Sequence, residues 1–211
     1  MRVKVCGVTR LEDAQLAVEL GAAAIGFIFW SGSPRAIAAD RAQAIVRALP
    51  AFVTPVGVFV DEAPEVVEAV AEKVGLGAVQ LHGHETPAYV EAMRRPVIRA
   101  VGVDETLDMR SLATWLPEVV LLLDAHDPER RGGTGRTIDW QLAGRIAASR
   151  RTILSGGLRP ENVGAAVQAV APYAVDVSSG IEAAPGIKDP GRMRAFFQAV
   201  DIARELKQHR S

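Results

Sequence analysis

Two short glycine-bearing segments follow apolar runs late in the chain: Ser155-Gly156-Gly157 after Thr152-Ile153-Leu154, and Ser178-Ser179-Gly180 after Val175-Asp176-Val177. Each presents backbone amides with little side-chain cover where a strand gives way to a helix. Unpaired amides and a helix dipole together suit a phosphate dianion. A single such segment is ordinary turn punctuation. Two of them, in the last two units of an alternating chain, match the place where eight-fold barrels frequently hold phosphate. The pattern predicts phosphate contacts from Gly156, Gly157, Ser178, Ser179 and Gly180.

Other reactive side chains stand at the ends of apolar runs. Cys6 closes the first, Arg35 lies in the long segment after the second, Asp61 follows the third and His82 the fourth, Asp124 closes the sixth, and Asp176 lies within the eighth. The set contains a potential base, an acid and a cation. Asp124 ends five consecutive apolar residues, where a carboxylate is costly unless it is paired or keeps its proton, so it suits a proton donor. Each position also has a plainer reading. Cys6 can be a small core residue, Asp61 a helix N-cap before Ala63-Pro64, His82 a partner of its own loop, and Arg35 a surface arginine. Four histidines without carboxylate spacing make a poor first shell, so no metal is expected.

The elements that must position these groups are short β-like runs alternating with helical periods. Residues 3–6, 24–29, 53–60, 78–81, 97–101, 119–123, 152–154 and 174–177 make eight candidate strands. Several are almost wholly apolar, Val119-Val120-Leu121-Leu122-Leu123 most plainly, as strands of a parallel sheet buried on both faces must be. Amphipathic helices are expected over 61–74, with Pro64 near the start and Gly75 as the stop, from Asp40, from Pro160, and from Asp189-Pro190, where Met193, Phe196, Phe197 and Val200 face inward. The alternation predicts an α/β fold, a (β/α)8 barrel. A doubly wound sheet is the structural alternative, but its usual G-x-G-x-x-G after the first strand is missing. In a barrel the reacting groups belong at the strand ends, where the groups above stand.

Composition agrees with one domain over 1–211: 211 residues, 49% hydrophobic, can bury a substantial core undivided. With 24 Lys+Arg against 25 Asp+Glu, the totals offer no basic face for nucleic acid. The single cysteine excludes an internal disulfide framework. No run approaches the roughly 20 apolar residues of a membrane span, and the start MRVKVCGVTR lacks a long apolar stretch, so a cytoplasmic protein without membrane contact is expected. Helical periodicity leaves monomer and homodimer undecided.

Eight blocks, in order across nearly the whole chain, resemble the phosphoribosylanthranilate isomerase family. They are VKVCGVTR (3–10), SPR (33–35), VGVFVDE (56–62), VQLHG (79–83), LLLDA (121–125), GGTG (132–135), SGGLRPENV (155–163) and VDVSSGIE (175–182). The resemblance implies a single (β/α)8 TIM barrel of the ribulose-phosphate-binding type. It implies an Amadori rearrangement in tryptophan biosynthesis, N-(5-phosphoribosyl)anthranilate becoming 1-(2-carboxyphenylamino)-1-deoxyribulose 5-phosphate, without a cofactor. It carries over Cys6 as general base, Asp124 as general acid, Arg35 as partner of the anthranilate carboxylate and Asp176 as a substrate contact. The segment 125–136 is either a lid over the sugar or a plain turn. His84 stands where an acidic residue is expected and Ile138 where an aromatic is usual; Trp140 reads as a packing residue. Two other readings stay open: another phosphosugar isomerase or epimerase, and a non-catalytic phosphometabolite-binding regulator that kept the barrel.

Overall fold

The computed structural model describes residues 1–104, 107–125 and 138–208. Eight parallel strands close into a barrel in chain order: β1 (Arg2–Val5), β2 (Ala24–Ile28), β3 (Thr54–Phe59), β4 (Ala78–Leu81), β5 (Val97–Val103), β6 (Val120–Ala125), β7 (Thr152–Leu154) and β8 (Ala174–Val177). Closure is made by β1 against β8, with Lys4 opposite Asp176 and Val5 opposite Val177. Helices α1 (Leu11–Glu19), α2 (Ala39–Arg47), α3 (Pro64–Val74), α4 (Pro87–Glu91), α5 (Trp140–Ser149), α6 (Val163–Val170) and α7 (Pro190–Gln208) intervene, while a 3₁₀ turn, Ser111–Thr114, stands between β5 and β6. A small hairpin, β9 (Glu182–Ala184) with β10 (Ile187–Lys188), extends the loop after β8.

The apolar material divides into two parts. The larger lies between barrel and helices and includes Val5, Phe27, Leu121, Leu123, Val175, Met193 and Phe196. The smaller, Ala100, Leu122, Ile153 and Ala174, plugs the barrel itself. This follows from the period-two alternation of strand side chains: Leu121 and Leu123 of β6 face outward and Leu122 inward. The same parity brings Cys6, Gln80, Asp124 and Asp176 inward above the plug.

Several local expectations need correction. Asp61 does not cap α3, whose N-cap is Ala63. Its backbone is left-handed at φ 51°, and its carboxylate accepts from the His84 N–H instead, so a long-range loop contact displaced the cap. The helix expected from Pro160 begins at Val163 with Asn162 before it; Asn162 spends its amide on the loop, accepting from Arg159 N at 2.8 Å and donating to Gly157 O at 3.0 Å. Strand β6 runs on through Ala125, so Asp124 lies within it rather than closing it. Asp189 caps α7 as its position suggests, accepting from Arg192 N at 2.7 Å, and Met193, Phe196, Phe197 and Val200 are buried. Ile138 is buried too, and Trp140 opens α5 packed against the core. The GGTG block, and segment 125–136 past Ala125, lie outside the described residues.

Candidate active site

At the C-terminal ends of the strands a cavity with about 550 Å³ of empty space, counting its open mouth, is lined by Cys6, Arg35, Asp124, Asp176 and Ser178 among others. The five come from four different parts of the chain. β1 delivers Cys6, whose N–H donates to Val177 O at 2.8 Å and so ties the end of β1 to β8. β6 delivers Asp124 and β8 delivers Asp176. Arg35 reaches in from the segment after β2.

The environment of Cys6 is built from charges. Lys4, two residues earlier on the same face, donates from Nζ to Asp176 Oδ1 at 2.7 Å, and both side chains are buried. Burial alone would lower the Lys4 pKa, but Asp176 and Cys6 together hold it above its ordinary value, so the ammonium is a fixed charge. Burial pushes the Cys6 thiol up, and Lys4, which also hydrogen-bonds it, and Lys188 work against that rise. Burial outweighs the two lysines, so the thiol is protonated until a further positive charge beside it favours the thiolate. Gly26 makes room for the arrangement: a Cβ there would stand 2.8 Å from Cys6 Sγ and 3.2 Å from Lys4 Cε.

Lys188 underlies the same wall from β10. It donates from Nζ to Cys6 O at 2.6 Å, to Ser178 O at 3.2 Å and to Glu182 Oε1 at 2.8 Å. Burial lowers its pKa despite Glu182. Glu182 in turn accepts from Arg35 Nε at 2.9 Å and Nη2 at 2.8 Å. Burial pushes the Glu182 carboxyl up, but Arg35 and Lys188 outweigh it and hold the group below its ordinary value. Arg35 is thus anchored through Nε and Nη2 in a fixed plane, the geometry a guanidinium needs to meet a planar carboxylate.

Asp124 sits opposite in a sparser setting. Its Oδ1 accepts from Ala125 N at 2.8 Å, and its Oδ2 lies 3.4 Å from His82 Nε2. The glycine segments are close by. Gly156 and Gly157 have φ of 79° and 63°, which favour glycine, and a Cβ on Gly156 would stand 3.1 Å from Asp124 Oδ1. Gly180 packs so tightly on the β7–α6 loop that a Cβ would collide with Leu158 O, and Ser179–Ile181 forms a short 3₁₀ turn. Gly156, Gly157, Ser179 and Gly180 stand beside the lining of the cavity rather than in it; Ser178 lines it, and its Oγ is buried without a hydrogen-bond partner among the described residues. Among the described residues no group of three or more His, Cys, Asp or Glu is placed to hold a metal ion.

Sequence reasoning passed over Lys4, Gln80, Glu182 and Lys188. For Lys4 and Gln80 a signal existed: each is a lone polar residue within an apolar strand, in phase with Cys6 or His82. Glu182 and Lys188 carry none, because their role depends on contacts across the fold.

A family model described as N-(5'phosphoribosyl)anthranilate (PRA) isomerase matches residues 3–199. The chain is 50% identical over 205 residues to the N-(5'-phosphoribosyl)anthranilate isomerase of Desulforudis audaxviator, covering 96% of this chain and 98% of that one. Its fold superposes on the crystal structure of phosphoribosyl anthranilate isomerase from Thermotoga maritima with a TM-score of 0.88 and 47% identity, over 95% of this chain and 98% of the other. A further similar structure, TM-score 0.85 and 45% identity over 95% and 98% of the two chains, is phosphoribosyl anthranilate isomerase in complex with reduced 1-(o-carboxyphenylamino)-1-deoxyribulose 5-phosphate. Barrel topology alone would leave the chemistry open, but matches of this extent, on a chain whose thiol and carboxyl meet in one cavity, mean that the protein belongs to the phosphoribosylanthranilate isomerase family.

Proposed function

We propose that this protein converts N-(5-phosphoribosyl)anthranilate to 1-(2-carboxyphenylamino)-1-deoxyribulose 5-phosphate, with Asp124 as general acid and Cys6 as general base. The observation that carries this reading is that these two groups, from β6 and the end of β1, line one cavity together with Arg35 and Asp176. Asp124 gives its proton to the furanose oxygen as the anthranilate nitrogen lone pair forms C=N and the C1–O bond breaks. The iminium acidifies the C2 proton, and its positive charge joins Lys4 in favouring the Cys6 thiolate, which removes that proton. The electron pair of the C–H bond becomes C1=C2 of the enolamine. Protonation at C1 and loss of the O2 proton then give the ketone.

The remaining groups bind. Arg35, held by Glu182, meets the anthranilate carboxylate. Asp176, whose Oδ2 also accepts from Ser155 Oγ at 3.3 Å, contacts the sugar. The phosphate rests against Gly156, Gly157, Ser178, Ser179 and Gly180, where left-handed glycines and the orphan Ser178 hydroxyl supply donors. No step calls for a cofactor. In this reading residues 1–211 work as one barrel domain on a small-molecule substrate, and a base that must stay a free thiol suits the reducing cytoplasm. Among the described residues no helix is long and apolar enough to cross a membrane.

The test is turnover of freshly generated N-(5-phosphoribosyl)anthranilate by the purified protein, with the product identified by ¹³C NMR through its new ketone carbon. Ketone formation supports the reading. A folded protein that binds a reduced product analogue without turnover would identify a phosphometabolite-binding regulator instead.

A further inference from the structure

We propose that Gln80 and His82 are positioning residues for the acid. Gln80 holds the His82 ring with its proton on Nε2, and that N–H receives the carboxylate left on Asp124 when its proton passes to the furanose oxygen. This rests on the isomerase reading above.

Gln80 is a buried amide in an otherwise apolar strand, Ala78-Val79-Gln80-Leu81, and faces the cavity with His82. Its Nε2 lies 3.0 Å from His82 Nδ1. An amide N–H pointed at Nδ1 requires a lone pair there, so the ring proton goes to Nε2. Nε2 is the atom 3.4 Å from Asp124 Oδ2, longer than a hydrogen bond but within the range that tightens when substrate closes a site. Asp124 Oδ1 already accepts from Ala125 N. With His82 in place each carboxylate oxygen has a donor, and the second matters most once the proton has left.

The amide is poorly explained as a structural element. Gln80 Oε1 is buried without a partner among the described residues, and a buried orphan acceptor is a cost. Among the described residues the bond to the ring is the one hydrogen bond of this side chain. A purely structural role therefore predicts that an apolar residue of similar shape is tolerated at no loss of stability or rate.

The experiment combines long-range ¹H–¹⁵N spectra of histidine-labelled protein with steady-state kinetics on N-(5-phosphoribosyl)anthranilate. His82 should show a protonated Nε2 and a bare Nδ1. Gln80→Met should mix the tautomers, leave thermal stability equal or higher, and lower kcat about tenfold, with KM changed less than about threefold. His82→Gln, whose amide N–H can stand where Nε2–H stands, should retain more kcat than His82→Ala. A ring protonated on Nδ1, an unchanged kcat in Gln80→Met, or a His82→Gln no better than His82→Ala, in a parent that turns over, would overturn the positioning role alone. A parent that does not turn over would overturn the isomerase reading and this role with it.

Discussion

The two walls that face each other across the cavity are built on different principles. The wall from β1, β8 and the hairpin after it is made of buried and half-buried opposite charges, Arg35 to Glu182 to Lys188 and Lys4 to Asp176, with both lysines acting on the Cys6 thiol. The wall from β4 and β6 is loose: Gln80, His82 and Asp124, joined by one 3.0 Å hydrogen bond and one 3.4 Å approach. The contrast fits what each group does in the proposed mechanism. A buried thiol is held protonated by its surroundings, so making a thiolate requires fixed cations, and fixed cations in a barrel interior require carboxylates to hold them. A carboxyl that gives up a proton needs only a donor waiting for the anion.

Removing the reacting atoms tests whether both walls are chemical. Cys6→Ala and Asp124→Asn should each lower kcat by about 10²–10⁴ with circular dichroism unchanged; a variant that keeps the parental rate would strip that wall of its role. Lys4→Met tests the charged wall next. It leaves Asp176 buried without its cation, which should cost about 3–5 kcal/mol in denaturant unfolding and most of the activity. The double variant Lys4→Met/Asp176→Leu should recover the stability without the activity, and recovery of both would show that the pair merely fills space.

Glu182→Gln is a milder cut. It unpins Arg35 and weakens the hold on Lys188, so KM should rise more than kcat falls, with about 1–3 kcal/mol lost at neutral pH. The Glu182 carboxyl is held below its ordinary value of 4.5, so its contribution is present above that pH and lost as pH falls through the lowered value. The stability gap between parent and variant should therefore close in acid; a gap constant from pH 7 to below 4 would contradict the assigned ion pairs. The last test, on the loose wall, is Gly156→Ala. A Cβ at φ 79° would meet Ala125 N at 2.8 Å and Asp124 Oδ1 at 3.1 Å, so displacement of the Ala125 backbone adds to about 1–2 kcal/mol of left-handed strain. A rate loss larger than the stability loss would show that Asp124 tolerates little displacement.

Much of the frame was legible in the residues. Strands 78–81, 152–154 and 174–177 have the boundaries their apolar runs suggest, because in each a short run is bounded by turn residues. Asp61 and Pro160 misled, since cap chemistry read locally competes with partners that a linear reading cannot see: His84 for Asp61, and the Gly157 loop in place of a cap for Asn162. The resemblance assigns Arg35 to a ligand carboxylate, and the structure adds Glu182, 147 residues away, as the group that holds it.

By itself the sequence determined the alternation of strand and helix, which strand residues share a face, and the glycine-bearing turns, since these depend on periods of two and 3.6 residues and on backbone freedom. Only the tertiary structure decided which faces meet. Lys4 and Asp176 are 172 residues apart, and Lys188 and Cys6 are 182 apart; they become neighbours because closing the barrel sets β1 against β8, and no local pattern encodes that closure.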